Sequence, residues 1–233
     1  MNLIKYIPNT FTTLNLLAGC MGLIAINEGN LAQAAMFILI GSAFDFLDGF
    51  SARVLKAASG IGKQLDSLAD LVTFGILPAF LLYHMINEHG IPYLSMVSLL
   101  VVIGSAFRLA KFNIDENQKE IFTGMPTPAN AFLIAGLVFA WDADWEAFSF
   151  IYSNQTGLFI FTVACSFLLN APLRFMSFKI REFVVAGNEL NLLLVLVSIV
   201  FLIIFNLKGI LPATLFYILL SFGQNIFMKR SLS

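Results

Sequence analysis

Four aspartates, Asp45, Asp48, Asp66 and Asp70, stand in stretches otherwise apolar enough to lie inside a membrane. A carboxylate in that solvent is expensive enough to mark a functional site. The acids fall at i,i+3 in one segment and i,i+4 in the next, so on helices each pair shares one face. Lipid cannot solvate them, and the nearby Arg53 neutralises about one of the four. Bound cations are the economical counter-charge. Hard oxygen ligands suit Mg²⁺ or Mn²⁺, two divalent ions would balance four carboxylates, and no His or Cys lies nearby to suggest zinc. Two other readings stay open on these residues alone. One is a structural network in which Asp45 and Asp48 pair with Arg53 while Asp66 and Asp70 cap or solvate a helix, and the other is a cation path between helices.

The small residues around the acids sharpen the choice. Gly49 and Ala52 leave room beside Asp48 for another backbone or a phosphate, and Arg53 offers that phosphate a permanent planar cation. Gly60, Gly62 and Lys63 read as a short flexible connection that brings the two acidic pairs face to face.

The elements that must position these residues are membrane helices. The chain has 233 residues, of which 59% are hydrophobic and only 12% charged, with a mean hydropathy of +0.87. Soluble proteins carry about a quarter charged residues, so a soluble globular class is excluded. The apolar runs are continuous rather than alternating, which indicates helices and not barrel strands. A span needs roughly 20 mostly apolar residues. Eight can be drawn, over approximately 11–27, 31–55, 65–87, 93–112, 126–142, 155–171, 188–206 and 210–228. The expected fold is therefore an all-α integral membrane protein of one polytopic domain. Its catalytic core would cover roughly 1–185, with two additional spans over roughly 188–228.

Charge sorting orients the bundle. Lys5, Arg53, Lys56, Lys63, Arg108, Lys111, Lys119, Arg174, Lys179, Arg181, Lys229 and Arg230 fall at or near one side, and Lys208 on the other. Glu28, Glu88, Asp142, Asp144 and Glu146 occupy the loops of that other side. The basic side is the expected cytoplasmic one, which places both termini and the acidic quartet toward the cytoplasm of a cell (inner) membrane. Cys20 and Cys165 have no spaced partner and read as packing residues, and His84 and His89 read as interfacial. Nothing in the pattern calls for nucleic acid.

At this point the residues resemble the signature of the CDP-alcohol phosphatidyltransferases, D-x-x-D-G-x-x-A-R-x(8)-G-x-x-x-D-x-x-x-D. Asp45, Asp48, Gly49, Ala52, Arg53, Gly62, Asp66 and Asp70 match it without a departure. The resemblance implies a membrane helical fold, a two-metal site, a homodimer, and transfer of a phosphatidyl group from a CDP-linked lipid to an alcohol. It implies that Asp45, Asp48 and Asp66 hold metal and that Asp70 both ligates metal and acts as general base. Gly49, Ala52, Arg53 and Gly62 would then border the nucleotide and its phosphates.

Further segments are similar to bacterial and archaeal phosphatidylserine synthases: Ile7-Pro8-Asn9-Thr10-Phe11-Thr12-Thr13-Leu14-Asn15, Phe107-Arg108-Leu109-Ala110-Lys111-Phe112-Asn113, Thr123-Gly124-Met125-Pro126-Thr127-Pro128-Ala129 and Ser177-Phe178-Lys179. Lys111 stands where that pattern carries Arg, which keeps the charge without the planar fork. The implied reaction joins CDP-diacylglycerol and L-serine, releasing CMP. Serine's carboxylate needs cations or amide donors, and Arg108, Lys111 and Asn113 are the candidates. For Arg108 and Lys111 the competing role is anchoring at the cytoplasmic end of a span, and the cluster of Arg174, Lys179 and Arg181 reads as a lipid-headgroup or topology anchor. The sister acceptors, glycerol 3-phosphate and inositol, share the signature. A cation transporter remains the rival of another class, and the Gly75 and Pro78 of the following helix keep it open.

Overall fold

A computed structural model of the chain describes residues 6–57, 59–90, 93–114, 122–176 and 189–230. Helix α1 (Ile7–Asn27) starts on Pro8, whose fixed φ and missing N–H suit a first turn. Gly29, at φ +80°, reverses the chain, and the Asn30 side chain caps α2 (Leu31–Val54) by accepting from Gln33 N at 3.0 Å. Ser59 caps the next helix, α3 (Gly60–Asp70), with its hydroxyl accepting from Gly62 N at 3.0 Å. Gly60, Gly62 and Lys63 thus form the first turn of a helix rather than the flexible connection expected from their composition, because a serine cap one residue earlier starts the ladder before them.

Past Asp70 the helix continues through one π-helical segment, Leu71–Ile76, into α4 (Leu77–Asn87). Leu77 N donates to Val72 O, five residues back. Pro78 offers a local cause, since it has no N–H to return to the preceding turn. The run Gly60–Asn87 is therefore continuous over 28 residues, long and apolar enough to cross a membrane as one span. The Gly75 and Pro78 pair loosens the helix without breaking it, unlike the unwound midplane helix of a transporter.

A 3₁₀ turn (Leu94–Ser98) leads into α5 (Leu99–Ile114). Helix α6 (Thr127–Asp142) is the central staff, with twelve of its sixteen residues buried. After the short α7 (Ser149–Tyr152), α8 (Gln155–Asn170) packs on α5, where Asn170 Nδ2 donates to Gly104 O at 2.8 Å. Two-residue strands, β1 (Phe122–Thr123) and β2 (Arg174–Phe175), pair antiparallel and tie the segments before α6 and after α8. Helix α9 (Glu189–Phe205) and α10 (Ile210–Arg230) are joined by a 3₁₀ turn, Asn206–Gly209. A straight helix would hold Gly209 about 12 Å from Phe201. A Cβ on Gly209 would instead meet the Phe201 carbonyl, so the chain turns back on itself here.

Among the described residues, five helices are long and apolar enough to cross a membrane, and six if the bent pair Glu146–Tyr152 and Gln155–Asn170 counts as one span. The chain is a multi-pass, all-α membrane protein. The count of eight spans differs for two reasons. Helix α6 has 16 residues and α8 has 16, short of the roughly 20 that a bilayer core demands, and the apolar run Glu189–Gln224 is counted once although it turns back on itself at Asn206–Gly209. Lys5, Lys119, Lys179 and Arg181, Ser177 and Phe178, and the side chains of Lys229 and Arg230 lie outside the described residues. Lys208 sits 5.2 Å from the Trp145 ring, in the acidic-loop end of the bundle. Cys165 is buried as expected, whereas Cys20 is exposed on the outer face of α1.

Candidate active site

Helix α2 presents Asp45 and Asp48 on one face, and α3 presents Asp66 opposite them. One carboxylate oxygen from each of Asp45, Asp48 and Asp66 lies within 4.8 Å of the others. Asp48 Oδ2 and Asp66 Oδ1 are buried with no hydrogen-bond partner. Orphaned anionic oxygens grouped this closely repel one another unless a cation joins them, and an all-oxygen set suits a hard divalent ion. These residues fit a metal on the chemistry of their donors. Arg53 does not neutralise the cluster as the structural-network reading required. Its Nε donates to Gly49 O of its own helix at 2.9 Å, and its side chain is exposed.

Asp70 stands at the end of α3, within electrostatic reach of Asp45, Asp66 and Asp48. Its Oδ1 accepts from Asn15 Nδ2 at 3.1 Å. Thr12, one turn earlier on the same face of α1, is buried beside Asp48. The space next to the acids is open: a Cβ on Gly49 would meet nothing within 4 Å. Gly62 is different, since a Cβ there would stand 2.9 Å from Ser59 Oγ and 3.0 Å from Asn9 Oδ1, so its small size lets α1 and α3 approach.

The three serine candidates separate. Asn113 Nδ2 donates to Ser67 Oγ at 2.8 Å, one residue past Asp66, and Lys63 Nζ donates to Asn113 O at 2.8 Å. Arg108 and Lys111 face α8 instead. Arg108 Nη1 donates to Leu169 O at 3.3 Å and Lys111 Nζ to Asn170 Oδ1 at 3.4 Å, positions that complement the carbonyl end of that helix. A Cβ on Gly124, which has φ +84°, would stand 2.8 Å from Arg108 Nη1, so glycine gives the guanidinium its place.

A cleft lined by Glu28, Glu88, Trp141 and Asp142 lies at the other end of α1 and has none of the four aspartates in its walls. Glu28 is sixteen residues beyond Thr12, about 24 Å along a helix.

Compared with known families, residues 5–168 match the CDP-alcohol phosphatidyltransferases. The chain belongs to that family. Among curated relatives of this CDP-alcohol phosphatidyltransferase, the CDP-diacylglycerol–serine O-phosphatidyltransferase of Bacillus subtilis (strain 168) is 35% identical over 176 residues, covering 75% of this chain and 92% of that protein. The protein of the same name from Helicobacter pylori (strain J99) is 31% identical over 182 residues, 77% of this chain and 75% of its own length. The archaetidylserine synthase of Methanothermobacter thermautotrophicus is 33% identical over 132 residues, covering 55% and 56%. The match to the family ends within α8, so α9 and α10 lie beyond it.

The contribution of α1 to this phosphatidyltransferase site is what the reading of the acids alone passed over. Thr12 and Asn15 are buried polar residues three apart on α1, a signal present in the sequence but hidden among the other polar residues of its first half, Asn9, Thr10 and Thr13, and subordinate to the four charges.

Proposed function

We propose that this protein transfers a phosphatidyl group from CDP-diacylglycerol to the hydroxyl of L-serine, forming phosphatidylserine and CMP. The observation that carries the chemistry is the group of unpartnered, buried carboxylate oxygens of Asp48 and Asp66 beside Asp45, in the signature that includes Gly49, Ala52, Arg53 and Gly62. The choice of serine is supported by the names of the relatives, two of which align with about three quarters of the chain.

Asp45, Asp48 and Asp66, with Asp70, would hold two divalent cations, Mg²⁺ or Mn²⁺. When bound, such ions neutralise the diphosphate and stabilise the departing nucleotide phosphate. The protein's own groups do the rest. Exposed Arg53 pairs with a phosphate oxygen, and the open surface at Gly49 and Ala52 admits the nucleotide. Asp70 takes the proton from the serine hydroxyl as its oxygen attacks the lipid-bearing phosphorus. The bond from that phosphorus to the oxygen of the CMP phosphate breaks, and CMP leaves. Asn113, whose amide is bonded next to Asp66, would meet the serine carboxylate, and Arg108 and Lys111, bonded to the end of α8, would add positive charge.

The quartet would face the cytoplasm of the cell membrane, where nucleotide and serine enter from water while acyl chains remain in lipid. The working unit is a homodimer, and the catalytic domain is the bundle through α8 with the α9–α10 hairpin added to it. Purified protein given CDP-diacylglycerol and Mn²⁺ should release CMP only when serine is added. Release with inositol or glycerol 3-phosphate in place of serine assigns the sister reaction.

A further inference from the structure

Asn15 lies in the middle of α1 with no exposed surface, although an amide in an apolar helix needs partners to be there. It has two. Nδ2 donates to Asp70 Oδ1 at 3.1 Å, and its backbone carbonyl accepts from the Thr73 hydroxyl at 2.9 Å. Thr73 is also fully buried and belongs to the π-helical segment that begins immediately after Asp70. Single π turns recur at functional positions because they re-aim a side chain without ending the helix.

The meeting point is built for close contact. A Cβ on Gly19 would stand 2.5 Å from Thr73 Oγ1, and one on Gly41 would stand 2.5 Å from Thr73 Cγ2 and 2.9 Å from Asn15 Oδ1. Only hydrogen there lets α1, α2 and the π turn converge. The direction of the amide follows from chemistry. Turning Oδ1 toward Asp70 would set an acceptor against a carboxylate, so the N–H must face Asp70 and Oδ1 must face away, where it has no donor. One carboxylate oxygen of Asp70 is thereby held, which fixes the direction of the second.

We infer that Asn15, braced by Thr73, is a positioning residue that fixes the carboxylate of Asp70 for proton abstraction. The inference rests on the reading of Asp70 as the base. Groups that orient an active carboxylate or metal ligand are worth about 10- to 100-fold in activity or metal affinity.

The test uses the full-length protein in detergent, with four variants measured side by side. Asn15→Leu keeps the branch point and the number of heavy atoms, at a somewhat larger volume, and removes the donor. It should lower kcat about 10- to 100-fold, leave the KM for CDP-diacylglycerol unchanged, and raise the Mn²⁺ concentration that gives half of the thermal stabilisation by that ion. Thr73→Val keeps the shape without the hydroxyl, and Thr73→Ser keeps the hydroxyl without the methyl that packs on Gly41. Positioning requires that Thr73→Ser retain kcat and the Mn²⁺ midpoint while Thr73→Val loses both. The reverse order, with Thr73→Val active and Thr73→Ser impaired, shows packing alone and overturns the inference. A folded Asn15→Leu protein with wild-type kcat also overturns it. Should Asn15→Leu fail to fold, the Thr73 pair still decides. Asp70→Asn separates the two levels: inactive Asp70→Asn beside fully active Asn15→Leu removes the positioning role only, whereas active Asp70→Asn removes the base assignment itself.

Discussion

The Asn113 amide donates to the Ser67 hydroxyl at 2.8 Å, so the last turn of α5 is bonded to the residue that follows Asp66. This bond brings a donor from a distant part of the chain to the edge of the acidic cluster. Replacing Asn113 with Ala should raise the KM for serine about 5- to 10-fold, the value of one lost hydrogen bond of about 1 kcal/mol. The KM for CDP-diacylglycerol should not move. Steady-state kinetics with each substrate varied in turn makes the comparison, and an unchanged serine KM would take Asn113 out of the acceptor site.

Arg53 is exposed, and the Gly49 carbonyl that its Nε meets belongs to its own helix. Its replacement should therefore leave the melting temperature in detergent unchanged. Arg53→Lys keeps the charge but not the planar fork, so kcat/KM for CDP-diacylglycerol should fall about 10-fold, and further for Arg53→Ala. Equal activity of the Lys variant and the wild type would mean that the phosphate does not meet a two-pronged contact there.

Gly49 and Gly19 should respond to enlargement in opposite ways. A methyl at Gly49 meets nothing within 4 Å, so Gly49→Ala should fold and melt normally while its KM for CDP-diacylglycerol rises. A methyl at Gly19 meets the Thr73 hydroxyl at 2.5 Å and its backbone at 3.1 Å, so Gly19→Val should lower the melting temperature. Overpacking of this kind costs about 1–3 kcal/mol. Thermal denaturation followed by fluorescence distinguishes the two.

How much of this was written in the sequence depends on the range of the interaction involved. The acidic pairs are legible because both depend on helical spacing within one segment, and the structure brings Asp45, Asp48 and Asp66 together. The membrane class follows from composition for the same reason. What could not be read is set by contacts between segments. Arg108 and Lys111 look equivalent to Asn113 along the chain, yet α5 turns them toward the end of α8. The loosened turn after Asp70 depends on Thr73 reaching Asn15, 58 residues away, as well as on Pro78. Gly60 and Gly62 resemble a loop by composition, and the Ser59 cap makes them a helix.

Metal removal addresses the buried oxygens directly. Chelation with EDTA should abolish CMP release, and added Mn²⁺ or Mg²⁺ should restore it. Asp66→Asn removes one orphaned ligand and should raise the half-saturating Mn²⁺ concentration about 10- to 100-fold. Full activity in EDTA would rule out the divalent-ion role of the cluster.

CMP release by the purified protein, supplied with CDP-diacylglycerol and Mn²⁺ and then with serine, inositol or glycerol 3-phosphate in turn, is the most direct measurement. Phosphatidyl transfer to serine predicts CMP and phosphatidylserine in equal amounts with serine, and neither product with the other two alcohols. CMP formation that ignores serine and follows inositol or glycerol 3-phosphate would contradict the assignment.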